Sequence, residues 1–223
     1  DLPLLSEAPA INTDFARSEY IREFLFAQGF SEVFTSVFTS SGDRVVLNKV
    51  DGVKPHLRRS LGEALEEALS RNVRNKDLLG VKQVRLFEIG TVWKAGEEVI
   101  EVDLAVEKVK KEKTTEEYHT MLEEHLASFK AGESYETFPF TSAERYQPFS
   151  KYPFIVRDIA LWVPDGTEAD DVLAIIRGAA GELLVRSALF DQFSKDGRTS
   201  YAFRLVFQSF DKTLTDGDAG ERM

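Results

Sequence analysis

Apolar and polar positions change period along the chain, and the changes mark out elements. A helix capped by Thr13 or Asp14 carries Tyr20, Ile21, Phe24 and Leu25 among its apolar positions, and Gly29 suits the left-handed site that ends it. EVFTSVF then reads as a strand, bounded by Ser40-Ser41-Gly42. Ser60 is the expected cap of a second helix, in which Leu61, Leu65, Ala68 and Leu69 share one face opposite Glu and Arg. Val84 to Trp93 is a largely apolar strand whose Gly90 signals a bulge or a close backbone approach. The next strand alternates strictly, with Ile100, Val102, Leu104 and Val106 one way and Glu101, Asp103, Ala105 and Glu107 the other, as in a sheet buried on one face. Thr114-x-x-Glu117 has capping-box spacing and opens a third helix with Tyr118, Leu122 and Phe129 along one side, ending at Gly132. Tyr135 to Phe140 reads as a further strand, and Thr141 to Ser150 as a domain boundary.

Beyond that boundary the order is strand (KYPFIVRDIALWVPDG), amphipathic helix, strand (ALFDQF) and strand (TSYAFRLVFQSFDKTLTD). Strand–helix–strand–strand opens a split β-α-β unit, an antiparallel sheet with helices on one face. The fold class expected is therefore α+β, with residues 1–145 an antiparallel sheet carrying helices on one side and 146–223 a smaller ferredoxin-like unit. Alternation turns Phe203, Leu205, Phe207, Ile159, Leu161 and Val163 toward the helices. Asp158, Ala160, Trp162, Ala202, Arg204, Val206 and Gln208 then face away.

The 223 residues include 17 phenylalanines, enough for real cores, and no cysteine, which excludes disulfides and thiolate chemistry. No signal or membrane span is seen in the sequence, and a cytoplasmic location is expected. The net charge of −10 argues against a surface that coats nucleic acid nonspecifically, so RNA binding would need a local patch. No nucleophile elbow, P-loop or dinucleotide motif occurs. His119 and Glu123, four apart, have helical metal-ligand spacing but no third ligand, and the Asp211–Asp218 stretch lacks the glutamate that closes a calcium loop. Capping by Thr213 or Thr215 is the plainer reading there. Catalytic, cofactor and metal residues are thus expected to be none.

Two sets of segments carry a family resemblance. GFSEVFTSVF, LRRSLGEALEEALSRN and RLFEIGTVW resemble, in order and spacing, the catalytic-like module of the bacterial phenylalanyl-tRNA synthetase beta subunit. YQPFSKYPFIVRDIALWV, LFDQF and SYAFRLVFQSFDKTLTD resemble that subunit's ferredoxin-fold anticodon-binding domain. The resemblance implies an α2β2 heterotetramer in which a separate alpha subunit uses ATP and magnesium to join phenylalanine to tRNA-Phe. The beta module would be a non-catalytic copy of the class II synthetase fold. Departures fit that role: Ser36 stands where the dimer-interface motif has proline, Lys94 where an ATP-contacting arginine is wanted, and Gly96 where an acidic partner would be. A lysine ammonium lacks the planar fork that grips phosphate. The glycine-rich closing motif is absent, the segment from Trp93 to Tyr146 is short for the family, and the anticodon domain's last helix and strand are expected to be missing. A fragment or a reduced protein is expected.

The resemblance makes the chain a subunit of a tRNA ligase without its own active site, scaffolding the alpha subunit and holding tRNA. Expected RNA contacts are Trp162, Phe190 and Arg204 on the outward sheet, with Lys195 and Arg198 in the turn and Lys151 and Arg157 at the start of the first strand. Simple solubility is the alternative for the basic residues. Tyr20, Phe24, Phe34 and Phe38 are the expected subunit interface, with core burial the alternative for Phe24. The competing reading of the whole is a stand-alone ferredoxin-like ligand- or protein-binding module without RNA.

Overall fold

The computed structural model describes residues 10–47, 53–132 and 148–222. These fall into two compact units, one with the residues up to Arg74 and from Lys82 to 132, the other with Asn75–Val81 and those from 148 onward. The expected 145/146 division and the Tyr135–Phe140 strand lie outside the described residues. That Asn75–Val81 groups with the second unit is an excursion the sequence pattern does not signal.

The first unit begins with α1 (Thr13–Ala27), capped by Asn12, whose side chain accepts from the amides of Asp14 and Phe15, rather than by Thr13 or Asp14. EVFTSVF does not form one strand. Only β1 (Ser31–Glu32) and β2 (Phe38–Thr39) are extended, because the hydroxyls between them bond elsewhere. Ser36 Oγ accepts from the Phe38 amide at 3.1 Å and Thr35 Oγ1 donates to Glu88 at 2.6 Å, a local alternative to ladder bonds. β2 pairs with β3 (His56–Leu57). Helix α2 (Gly62–Val73) has Leu61 at its N-cap, so Ser60 does not cap it. β4 (Arg85–Lys94) and β5 (Glu97–Val106) form an unbroken antiparallel ladder closed by Ala95-Gly96, whose φ of 50° and 88° suit a two-residue primed turn. β1 joins β4 in parallel, which makes this sheet mixed rather than antiparallel throughout. Helix α4 (Thr115–Leu126) has the expected capping box of Thr114 and Glu117 but stops short of Gly132.

Helices cover this sheet on both faces, correcting the one-sided expectation. Phe87, Leu104 and Val106 pack with Ile21 and Leu25 of α1 and Tyr118 and Leu122 of α4. Val84, Leu86 and Ala105 pack with Leu65, Ala68 and Leu69 of α2. Ala105 alternates with acidic residues in the sequence, but its small side chain suits a closely packed helix.

A buried ion pair ties the loop after β1 to β3 and β4. Arg58 Nη1 meets Glu88 Oε1 at 2.7 Å, with side chains 4% and 2% exposed. Arg58 also donates to Thr91 O at 3.0 Å and to Thr35 Oγ1 at 3.0 Å. Gly90 is explained here: the ladder shows no bulge at it, and a Cβ would collide with the Arg58 guanidinium.

The second unit holds α3 (Lys76–Leu79), β6 (Ile155–Pro164), α5 (Ala169–Ala180), a 3-10 turn (Gly181–Leu183), β7 (Leu184–Lys195), β8 (Arg198–Phe207) and α6 (Asp216–Gly220). The sheet order is β6-β8-β7, antiparallel throughout, and Asp196-Gly197, both at positive φ, make the β7–β8 turn. Tyr201, Phe203, Leu205 and Phe207 of β8 pack against Val172, Leu173 and Ala180 of α5, flanked by Ile159, Leu161 and Val163, as alternation predicts. Thr215 caps α6 through a reciprocal bond with Asp218, and Ala219 is fully buried.

Removing one partner of the buried pair should be severe. Glu88→Ala is expected to cost about 3–5 kcal/mol, since Arg58 would be left buried and unpaired. Urea denaturation of the variant against the parent measures it.

Candidate nucleic-acid interface

The side of the second sheet turned away from α5 is built in cross-strand rows. Trp162, Ser200 and Phe193 form one, Ala160, Ala202 and Asp191 the next, and Asp158, Arg204 and Ala188 the third. Small residues make the floor. Trp162 and Phe193, 46% and 56% exposed, stand edge to face across Ser200 with centroids 6.1 Å apart. Exposed rings of this kind offer surfaces on which unpaired bases can stack.

Phe193 is absent from the contacts the sequence leads one to expect, for a definite reason. Strict alternation through LFDQF cannot place both Phe190 and Phe193 outward. The register skips between Leu189 and Asp191, so a bulge at Phe190 resets the phase and lets both reach the outward side.

Arg204 lies on this face but is neutralised within it. Its Nε and Nη2 donate to the two Asp158 oxygens at 2.9 and 2.8 Å, and Nη1 donates to Asp77 at 3.1 Å. Its guanidinium carbon sits 5.3 Å from the Phe190 ring centroid, a cation–π contact. Hydrogen bonding to Asp158 raises the Arg204 pKa, and Arg204 in turn holds the Asp158 carboxyl below the ordinary carboxylate range. Val206, expected to face away from the helices, is only 1% exposed, at the end of the face where Asp77 and Leu78 bind Arg204 and Arg186.

The remaining expected contacts divide. Lys195 and Arg198 flank the β7–β8 turn on the same side as Trp162, and Arg198 Nη2 donates to Trp162 O at 3.2 Å. Arg157 pairs across the ladder with Leu205, so it points to the helix side and forms an ion pair with Asp216. It therefore does not join Arg204. Lys151 lies ahead of β6, its ammonium 5.3 Å from the centroid of Tyr152.

In the first unit Tyr20 and Phe24 sandwich the His125 ring at 4.1 and 4.4 Å, and the Tyr20 hydroxyl meets Ser128 Oγ at 2.9 Å. Both are half-buried against α4. Phe34 is 80% exposed, whereas Phe38 is half-buried in β2. Phe34 and Phe38 line a polar cleft of about 600 Å³ with Ser36, Thr39, Arg59 and Glu63. Lys94 is ion-paired to Glu101, and Gly96 is held at positive φ by the tight turn. His119 turns to Asp103, 3.4 Å away, rather than sharing a site with Glu123. No group of three potential metal ligands occurs among the described residues.

The model of the ferredoxin-fold anticodon binding domain matches residues 150–223. That region is similar to this domain family. The chain is 37% identical over 79 residues to the chloroplastic/mitochondrial phenylalanine–tRNA ligase of Arabidopsis thaliana, covering 34% of this chain and 18% of that protein. It is 44% identical over 78 residues to the phenylalanine–tRNA ligase beta subunit of Moorella thermoacetica, covering 33% and 10%. Against the beta subunit of Shouchella clausii it is 41% identical over 83 residues, covering 35% and 10%. The matched part thus spans between a tenth and a fifth of these relatives' lengths. The resemblance to the beta subunit of an aminoacyl-tRNA synthetase holds for residues 150–223, and the α+β class with an antiparallel sheet holds there. Among the described residues, no helix is long and apolar enough to cross a membrane.

The Asp158–Arg204 contact of this domain carries a pH signature. Asp158 has a depressed pKa when folded, so its contribution is present above the unfolded value of about 4 and fades as pH falls through the lower folded value. Asp158→Asn should therefore lower the melting temperature at neutral pH. The gap between variant and parent should close in strongly acid solution, as read by circular dichroism at both pH values.

Proposed function

We propose that this chain is the part of a phenylalanine–tRNA ligase beta subunit that grips tRNA-Phe and supports a separate catalytic alpha subunit. The observation that carries the reading is the exposed Trp162–Phe193 pair on the helix-free face of a domain that matches the anticodon-binding model. In this reading the aromatic face takes splayed anticodon-loop bases, and Lys195 and Arg198 at the turn meet nearby phosphates. The first unit is a class II synthetase-like module without chemistry of its own. Two features support that role: Lys94 is held by Glu101, and the Ala95-Gly96 turn leaves no extended loop to close over a nucleotide. ATP and magnesium then act on the alpha chain of an α2β2 assembly in the cytoplasm. Exposed Phe34 is the strongest of the four expected interface residues, since Tyr20 and Phe24 are already occupied by His125.

Pull-down of the protein should recover an alpha subunit and tRNA-Phe; recovery of neither would favour a stand-alone ligand-binding module. In a titration with the tRNA-Phe anticodon stem-loop, Trp162→Ala and Phe193→Ala should each cost about 1–3 kcal/mol per base unstacked. Unchanged affinity in both variants would refute the stacking face.

A further inference from the structure

The outward face of the second sheet is open at one end and occupied at the other. Trp162 and Phe193 leave the first end accessible, whereas Val206, at an outward register position of β8, is 1% exposed. The segment beside Val206 is Asn75–Val81, which contains α3 and groups with the second unit. Two arginines hold it. Arg204, two positions from Val206 on β8, donates from Nη1 to Asp77 Oδ1 at 3.1 Å. Arg186, paired with Val206 across the ladder, donates from Nε to Leu78 O at 2.8 Å. The register sets both arginines on the same side of the sheet, as diagonal neighbours about 7–8 Å apart. Gly80 completes the fit: it ends α3 at a φ of 70°, and a Cβ there would lie 2.1 Å from Arg186 Nη1.

These holding contacts are polar and open to water. The Arg204 and Asp77 side chains are 40% and 35% exposed, and Leu79 and Val81 are 46% and 43% exposed instead of buried against the sheet. Ion pairs so exposed add little stability, so the segment is held lightly. Asp158 binds Arg204 through Nε and Nη2, which leaves Nη1 as the donor that Asp77 fills. Asp77 and Leu78 thus offer two guanidiniums one anionic and one neutral oxygen, the kind of acceptors that a nucleic-acid backbone offers. Resting on the RNA-holding function above, we propose that Asn75–Val81 is an internal stand-in for RNA backbone, closing the Arg186–Arg204 end of the face until a bound strand displaces it and sets a phosphodiester there. Ser200, between the two rings, and Val206 are six strand positions apart, or about 20 Å, so one short RNA strand can meet both ends.

The test titrates a tRNA-Phe anticodon stem-loop into the whole chain across a salt series. Asp77→Asn should tighten binding by up to about fivefold, the strength of an exposed ion pair, and steepen the slope of log affinity against log salt by about one. Gly80→Ala changes no charge but pushes the segment off Arg186, and should tighten binding too. Asp170→Asn removes an equal charge from α5, on the helix side, and should leave affinity unchanged. In Asp77→Asn/Arg204→Gln the gain should vanish. The chain has no cysteine, so a nitroxide on Leu79→Cys reports the segment directly. It should broaden the Arg204 and Val206 amide resonances in the free protein and release them when the stem-loop binds. Unchanged or weaker binding in either single variant, Asp77→Asn or Gly80→Ala, while the parent binds RNA in a Trp162-dependent way, overturns the closure and leaves the RNA-holding function standing. Broadening that persists in the RNA complex overturns the displacement in the same way. No RNA binding by the parent or either variant overturns both the function and the closure.

Discussion

The second unit depends on β8, the middle strand of three, because it supplies both the core and the surface. Tyr201, Phe203, Leu205 and Phe207 are buried against α5 and α6, and every intervening residue must then face the opposite side. With one helical layer to cover it, most of that side is built to meet water or a partner. Ser200 and Ala202 keep the floor low, and Arg204 carries its charge only because Asp158 and Asp77 surround it. The outward face is thus a consequence of the core: the same alternation that buries three aromatic rings of β8 places Ser200 between Trp162 and Phe193 on the opposite side.

The first unit solves a different problem and gives up surface chemistry to do so. Its sheet is covered on both faces, so consecutive residues Leu86 and Phe87 are both buried, and then Glu88 is buried as well. A carboxylate there is tolerable only with a full set of partners, which Arg58 and Thr35 provide. The loop between β1 and β2 is held by those hydroxyl and guanidinium bonds rather than by strand pairing. Arg58 is consequently a structural cation, and Lys94, tied to Glu101, is no freer.

What the sequence made legible was whatever depends on one element alone. The alternation of β8, the Thr114–Glu117 capping box and the positive-φ turn at Asp196-Gly197 follow from local residues and are present. What it hid depends on a second element. The parallel pairing of β1 with β4 and the packing of α2 onto Ala105 carry no period of their own. The resemblance pointed to the second unit, but not to which of its basic residues were paired: Arg157 and Arg204 look like phosphate ligands until Asp216, Asp158 and Asp77 are placed beside them. Phe193 was hidden by the bulge, since a single inserted residue reverses the phase of everything after it.

These pairings bear on how, in the proposed function, an acidic chain would hold an acidic ligand. With a net charge of −10, long-range attraction cannot gather RNA, and a diffuse basic coat is not available. On the proposed reading, affinity would instead come from contacts that act at short range, which stacking on exposed rings does. Short-range contacts of this sort discriminate well, because a duplex with its bases stacked on each other offers no free ring face to Trp162 or Phe193. On that reading the same acidity would suppress nonspecific capture, leaving selectivity to the geometry of one sheet face.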